Sequence, residues 1–236
     1  MVNIAFSWDD GAPEDLKLMK LLVRYEIPAM FFIPASNPER KTMSKEEVRR
    51  LYNERFEIGS HTFSHIYLTK VSYEKAEDEI VKGKEYLEQI TGMHIPHFCL
   101  PGGLYNPGLT EILRKYCVSA RTADTGALNY IKTFLVKPTF HFYNRGVRSL
   151  IYNGLKNKSV IFELSLKHTF TMNYFDAINK ILSDLGNMDK DFNVIIWGHS
   201  WELEKQGLWQ QFEQLIRFLK AADNITVKGY SQMLEM

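Results

Sequence analysis

Two adjacent aspartates, Asp9 and Asp10, close the first hydrophobic run, Val2-Asn3-Ile4-Ala5-Phe6-Ser7-Trp8, and Gly11 follows directly. Side-by-side carboxylates repel each other and gain nothing from packing, so at a strand end they are solvated or held by a cation. An ordinary helix N-cap needs only one of them. His61 and His65 follow a second strand-like run, Phe56-Glu57-Ile58-Gly59-Ser60. Their spacing puts both rings on one face if the segment is helical, and lets one ion reach both. His199 comes straight after Val194-Ile195-Ile196-Trp197-Gly198, at the kind of strand end where parallel α/β sheets expose functional groups. Two imidazoles and one carboxylate with open positions form a hydrolytic metal set, and the second aspartate is then free to take a proton. His141, within Thr139-Phe140-His141-Phe142-Tyr143, is a further candidate to line such a site. Trp197 and Trp201 read as packing residues, and His94, His97 and His168 have no identifiable chemical partner.

The elements that must carry these residues alternate between strand and helix, the pattern of an α/β fold with a largely parallel sheet. Helical spacing runs from Glu14 to Tyr25, and a buried-strand run covers Ala29 to Ile33. Ser44 and Glu47 form a capping box that opens a helix through Tyr52, ahead of the strand Phe56–Ser60. A long amphipathic helix is expected from Ser72 to Ile90, then a strand at Phe98–Leu100 broken by Pro101-Gly102-Gly103. A helix over Leu109–Tyr116 and a strand over Ser119–Thr122 follow. The stretch from Asp124 to Lys158 is irregular. Beyond it Val160–Leu164 reads as a strand, Tyr174–Leu185 as a helix and Phe192–Trp197 as the most apolar strand. Leu208–Ala222 reads as a helix and Ile225–Val227 as a last strand. No repeat or linker interrupts the chain, so residues 1–236 read as a single domain.

Composition narrows the function classes. Twenty-nine basic against 28 acidic residues leave a net charge of +1, without the electrostatic footprint of a nucleic-acid or anionic-membrane partner. No apolar run reaches the roughly 18 residues that cross a bilayer. The chain opens in a strand rather than a leader, and with only two cysteines, Cys99 and Cys117, a cytoplasmic location is the expectation.

Taken together and in order, these segments resemble the polysaccharide deacetylase family, carbohydrate esterase family 4 or NodB-like domains. Phe6-Ser7-Trp8-Asp9-Asp10-Gly11 is similar to the family's first motif, T-F-D-D-G, and His61-Thr62-Phe63-Ser64-His65 to its H-[ST]-x-x-H. Pro101-Gly102-Gly103-Leu104-Tyr105-Asn106 is similar to the third motif, and Trp197-Gly198-His199 stands where the family has its late histidine. The resemblance implies a distorted (β/α) barrel of about seven strands with the site at the strand C-terminal ends. It implies a divalent metal, zinc most often and cobalt or nickel sometimes, held by Asp10, His61 and His65. Asp9 is then the general base and His199 the general acid. The implied reaction removes an N- or O-linked acetyl group from an acetylated sugar or glycan, as water activated at the metal attacks the acetyl carbonyl. Gly102, Gly103 and Tyr105 are expected beside substrate, with a backbone N–H near Gly102 facing the oxyanion. His141, Trp201 and Glu202 are supporting candidates.

The chain also departs from the pattern. Cys99 occupies the position of a family arginine that braces the catalytic aspartate, and Gly102 that of an aromatic bordering the substrate. Arg121, at the end of the next strand, is the expected substitute for the missing arginine. Two other readings compete: a metal-dependent amidohydrolase acting on a non-sugar amide or cyclic ureide, and a catalytically inactive carbohydrate-binding relative. Retention of Asp9 argues against the first, and retention of all five candidate groups against the second.

Overall fold

In the computed structural model, residues 1–128, 133–168 and 172–235 are described. Strands β1 (Val2–Asp9), β2 (Met30–Ile33), β3 (Glu57–Ser60), β4 (His97–Cys99) and β5 (Ser119–Arg121) alternate with helices α1 (Asp15–Arg24), α2 (Lys45–Asn53), α3 (Tyr73–Thr91) and α4 (Pro107–Tyr116). Short strands β6 (Leu135–Val136) and β7 (Phe140–His141) precede α5 (Arg148–Lys156), α6 (Ile161–His168) and α7 (Tyr174–Gly186). The chain ends with β8 (Phe192–Gly198), α8 (Ser200–Gln206), α9 (Trp209–Ala221), β9 (Ile225–Val227) and α10 (Tyr230–Glu235).

All the strand pairs are parallel, in the order β6-β5-β4-β3-β2-β1-β8-β7. The sheet curls into a half-barrel without pairing its two edges, β6 and β7. Eight strands follow one another where about seven were expected. A ninth, β9, pairs with Val2–Ile4 of β1, below the segment that pairs with β2. The extra strands are the two-residue pieces β6 and β7, too short to show a period in the sequence.

Side-chain alternation sorts the two faces. On β1, Ile4, Phe6 and Trp8 face the large core under the helices, while Ala5 belongs to an inner cluster with Met30, Phe32, Cys99, Ile195, Tyr230 and Met233. Asp9 shares the inward parity of Ala5, as Arg121 shares that of Ser119 and Trp197 that of Ile195. Polar groups therefore ring the mouth of the curl, and α10 fills its opposite end with Tyr230 and Met233.

Ser44 forms the expected capping box with Glu47 at the start of α2. One element differs in kind. Val160–Leu164 is not a strand, because α6 buries Ile161, Leu164, Ser165 and His168, a helical period that a five-residue window is too short to show. Among the described residues, no helix is long and apolar enough to cross a membrane.

A candidate metal centre at the strand ends

Asp9 ends β1, and consecutive strand residues ordinarily point to opposite faces. The chain escapes this by turning left-handed at Asp10 (φ 78°) and Gly11 (φ 57°), so both carboxylates reach the mouth. Gly11 is required there, since a Cβ would stand 2.7 Å from Ile33 Cγ2. Asp10 Oδ1 lies 3.0 Å from His65 Nε2 and 3.6 Å from His61 Nε2.

His61 and His65 are not on a helix. Residues 61–65 form a loop with left-handed Thr62 (φ 67°) and His65 (φ 54°), and this loop, not a helical face, brings the rings together at 5.0 Å. Glu79 of α3 fastens the loop. Its carboxylate accepts from Ser64 N at 2.8 Å and Ser64 Oγ at 2.9 Å, and its carbonyl accepts from Phe63 N at 3.0 Å. Gly83, one turn along, lets the helix approach, because a Cβ would meet the Thr62 carbonyl carbon at 2.5 Å.

Asp9 is buried and paired with Arg121, whose Nη2 donates to Asp9 Oδ2 while Nη1 donates to the Thr122 carbonyl at 2.9 Å. Cys99 sits between them, its Sγ 2.9 Å from Arg121 Nη2 and 3.6 Å from Asp9 Oδ2. Parallel pairing of β4 with β5, Cys99 opposite Arg121, puts this arginine beside the position the family's arginine occupies. Burial opposes ionisation of Asp9, but Arg121, with His61 and His199, holds its carboxyl below the usual range.

His199 follows β8 and precedes α8. Its Nδ1 is 2.8 Å from Glu202 Oε2, and its Nε2 faces Asp10 Oδ2 at 3.8 Å. The same Glu202 oxygen bonds His141 Nε2 at 2.9 Å. Arg145 Nε, which can only donate, meets His141 Nδ1 at 3.0 Å. His141 Nε2 therefore carries the proton given to Glu202. Burial pushes Glu202 up, but the two imidazoles outweigh it and bring the carboxyl down to about 2. Burial lowers His199, and Glu202 together with Asp10 more than reverses this, so its pKa stands above the ordinary histidine value.

Of the residues expected beside substrate, Gly102 and Gly103 do lie at the mouth, but Gly103 N–H is spent on the Leu100 carbonyl at 2.8 Å. That removes it as an oxyanion donor. Tyr105 lies exposed before α4, within electrostatic reach of Lys156. Trp201 does more than pack: its indole N–H donates to Asp10 Oδ2 at 2.9 Å. Sequence reasoning missed Glu79, Arg40 and Arg145. Arg40 stacks 3.7 Å above Trp201, with Nε 3.4 Å from Asp10 Oδ2. Nothing in the surrounding sequence marks these three: Glu79 and Arg40 meet their partners only across the fold, and Arg145 meets His141, four residues before it, only through the bend that follows β7.

The donor set fits a divalent ion. Asp10, His61 and His65 offer ligand atoms within 4.8 Å of one another. His61 Nδ1 lies 2.8 Å from the Cys99 carbonyl oxygen, which can only accept. The ring proton therefore sits on Nδ1 and the Nε2 lone pair turns toward Asp10, the orientation in which a metal-binding histidine is held by its outer neighbours.

The profile described as "Polysaccharide deacetylase" matches residues 2–120. The chain belongs to the polysaccharide deacetylase family. It is similar to two Bacillus cereus proteins named peptidoglycan-N-acetylglucosamine deacetylase, each 32% identical. One match covers 65% of this chain and 67% of the relative, the other 42% and 35%. This chain thus spans about a third of the length of one and two thirds of the other. A family 4 acetyl xylan esterase from Clostridium thermocellum, solved in complex with cobalt, has the same fold with a TM-score of 0.64 at 14% identity, over 99% of this chain and 90% of that one. The half-barrel with its site at the strand C-terminal ends is therefore the polysaccharide deacetylase fold.

Proposed function

We propose that this protein is a metal-dependent hydrolase that removes an acetyl group, N- or O-linked, from an acetylated sugar or glycan. One observation carries the reading: Asp9, Asp10, His61, His65 and His199 converge on one mouth of the half-barrel, with Arg121 and Glu202 behind the two groups that would move protons. Asp10, His61 and His65 would hold the ion, with zinc the first candidate for such a set. A divalent ion bound there lowers the pKa of water and polarises a carbonyl oxygen. Asp9, kept ionised by Arg121, accepts the proton of the attacking water. His199, its Nδ1–H held by Glu202, presents Nε2 to the mouth and returns a proton to the departing amine or alcohol. The same reading takes residues 1–236 as one catalytic domain.

The test measures acetate release from a panel of acetylated mono- and oligosaccharides, metal-depleted and with zinc restored. Zinc-dependent release from at least one member is the expected result. Elemental analysis should find about one ion per chain, lost in His61→Ala/His65→Ala. Full metal retention by that double variant, or zinc-independent release, would overturn the assignment.

A further inference from the structure

Beside the ligand cluster, on the His141 side of the mouth, lies a cavity of about 270 Å³. Gly102, Gly103, Asp124, Arg145, Lys156 and Trp197 are among its lining residues. It adjoins the chemistry directly. His141 and Trp197 form one wall, and both rings also contact His199, at centroid distances of 5.7 and 5.3 Å. A sugar with its acetyl group at Asp9 and His199 would set a neighbouring substituent or the next sugar unit in this cavity.

The charges around it do not balance. Among the described residues, Asp124 is the only carboxylate in the lining, and two lysines already meet it, Lys156 Nζ at 2.7 Å and Lys137 Nζ at 2.9 Å. Arg145 has no carboxylate within ion-pair distance among the described residues. It spends Nε on His141, and the terminal nitrogens of its fork have no hydrogen-bond partner among the described residues. His141 is neutral near pH 7, because burial lowers its pKa to about 4, and the Glu202 carboxylate behind it is shared with His199. Gly102 and Gly103 pack tightly against the protein itself, since a Cβ would meet the ring of Tyr67 at 2.4 Å and Ala123 N at 2.3 Å respectively, so this wall of the cavity is fixed in shape beneath a surplus of positive charge.

We propose that this cavity is a subsite for an anionic group, carboxylate or phosphate, carried by the acetylated sugar, and that Arg145 is the residue that selects for it. A guanidinium fork matches two oxygens of either anion, and Lys156 stands on the same rim as a second cation. A neutral sugar would leave the fork with hydroxyl partners only, which are the weaker bonds. The inference rests on the deacetylase reading for the position of the acetyl group, while the cavity and its charge stand without it.

The experiment has two arms. In the first, calorimetry on the zinc-loaded full chain compares glucuronate, glucose 6-phosphate and glucose as probes, in wild type, Arg145→Gln and Arg145→Lys. At least one anionic probe should bind, weakened by at least about tenfold in Arg145→Gln and less in Arg145→Lys, with glucose insensitive to both changes. Which anion responds separates a carboxylated sugar from a phosphorylated one. In the second arm, kcat/KM for acetate release is taken as a ratio, acetylated sugar acid or sugar phosphate over the matching neutral sugar. That ratio should fall by at least about tenfold in Arg145→Gln, and using a ratio cancels any general loss passed through His141. Binding of both anions unchanged in Arg145→Gln, or no binding of either to wild type, overturns the subsite. Anion binding that depends on Arg145, without acetate release from any sugar, supports the subsite and overturns the deacetylase reading instead.

Discussion

Asp9 and His199 are each tuned by one buried partner, and the two partners act in opposite directions. Arg121 lowers Asp9 against the effect of burial, so the base stays ionised below the ordinary aspartate value of about 3.9. Glu202 raises His199 against the same effect, so the acid stays protonated above the ordinary histidine value of about 6.5. Activity should therefore follow a bell whose acid limb belongs to Asp9 and whose alkaline limb belongs to His199. Arg121→Lys keeps the charge but loses the fork, so Asp9 rises and the acid limb moves to higher pH. Glu202→Gln removes the charge facing His199 Nδ1, so His199 falls and the alkaline limb moves to lower pH. Each substitution narrows the bell from its own side. A kcat/KM profile in which both variants keep the wild-type limbs would dissociate these partners from the chemistry.

At the scale of elements, α3 is the support of the metal loop. Glu79 is buried, takes three hydrogen bonds from residues 63 and 64, and is covered by Lys75 Nζ at 2.9 Å. Two of those three bonds end on its carboxylate, and Glu79→Ala would leave the Ser64 donors without it. The left-handed turns at Thr62 and His65 would then lose the contact that holds them in place. Outer-shell supports of this kind are worth about 10–100-fold in metal affinity. Zinc titration of Glu79→Ala should show a loss in that range, with Glu79→Gln closer to wild type because its carbonyl oxygen still accepts. An unchanged zinc affinity in Glu79→Ala would mean that the loop holds its own shape.

Across the whole molecule, the end of the half-barrel away from the metal site is closed by α10. His97 is held there between Ser119 Oγ and Ser231 Oγ, both at 2.8 Å, and Ser231 in turn donates to Glu57. Cavities of about 570 and 610 Å³ flank this lock, and neither touches the ligand cluster. Burial lowers His97 to about 4. With a folded pKa below the unfolded value of about 6.5, the unfolded chain binds more protons between these pH values, so stability rises with pH across that window. The part due to His97 is fully present above about pH 6.5 and lost as pH falls through about 4, on the order of 3 kcal/mol. Urea unfolding of wild type and His97→Gln at pH 4.5 and 7 should show a smaller pH dependence in the variant. Equal dependence in the two would clear His97 of this role.

The chemistry-bearing residue types were legible because metal and proton transfer restrict them so severely. Asp9-Asp10-Gly11, the His61–His65 loop and Trp197-Gly198-His199 are local signals, each at the end of an apolar run that must be a strand. The parallel α/β architecture was legible for a related reason, since alternating helical and strand-like patterns leave few ways to bury both. What depended on distance along the chain was not legible. Glu79 and Arg40 look like ordinary surface charges until α3 meets the His loop and Arg40 meets Asp10 and Trp201. Arg121 was singled out from its strand position, but its contact with Asp9, 112 residues away, exists only because β4 and β5 pair in parallel. The run Val160–Leu164 reads as a strand because four apolar residues in five fit either period, and only packing against the neighbouring helices selects one. Sequence alone determines which groups can do chemistry and where strands must end. The tertiary structure decides which charges face one another, because hydrogen-bond and ion-pair partners are chosen by register and burial, not by nearness in the chain.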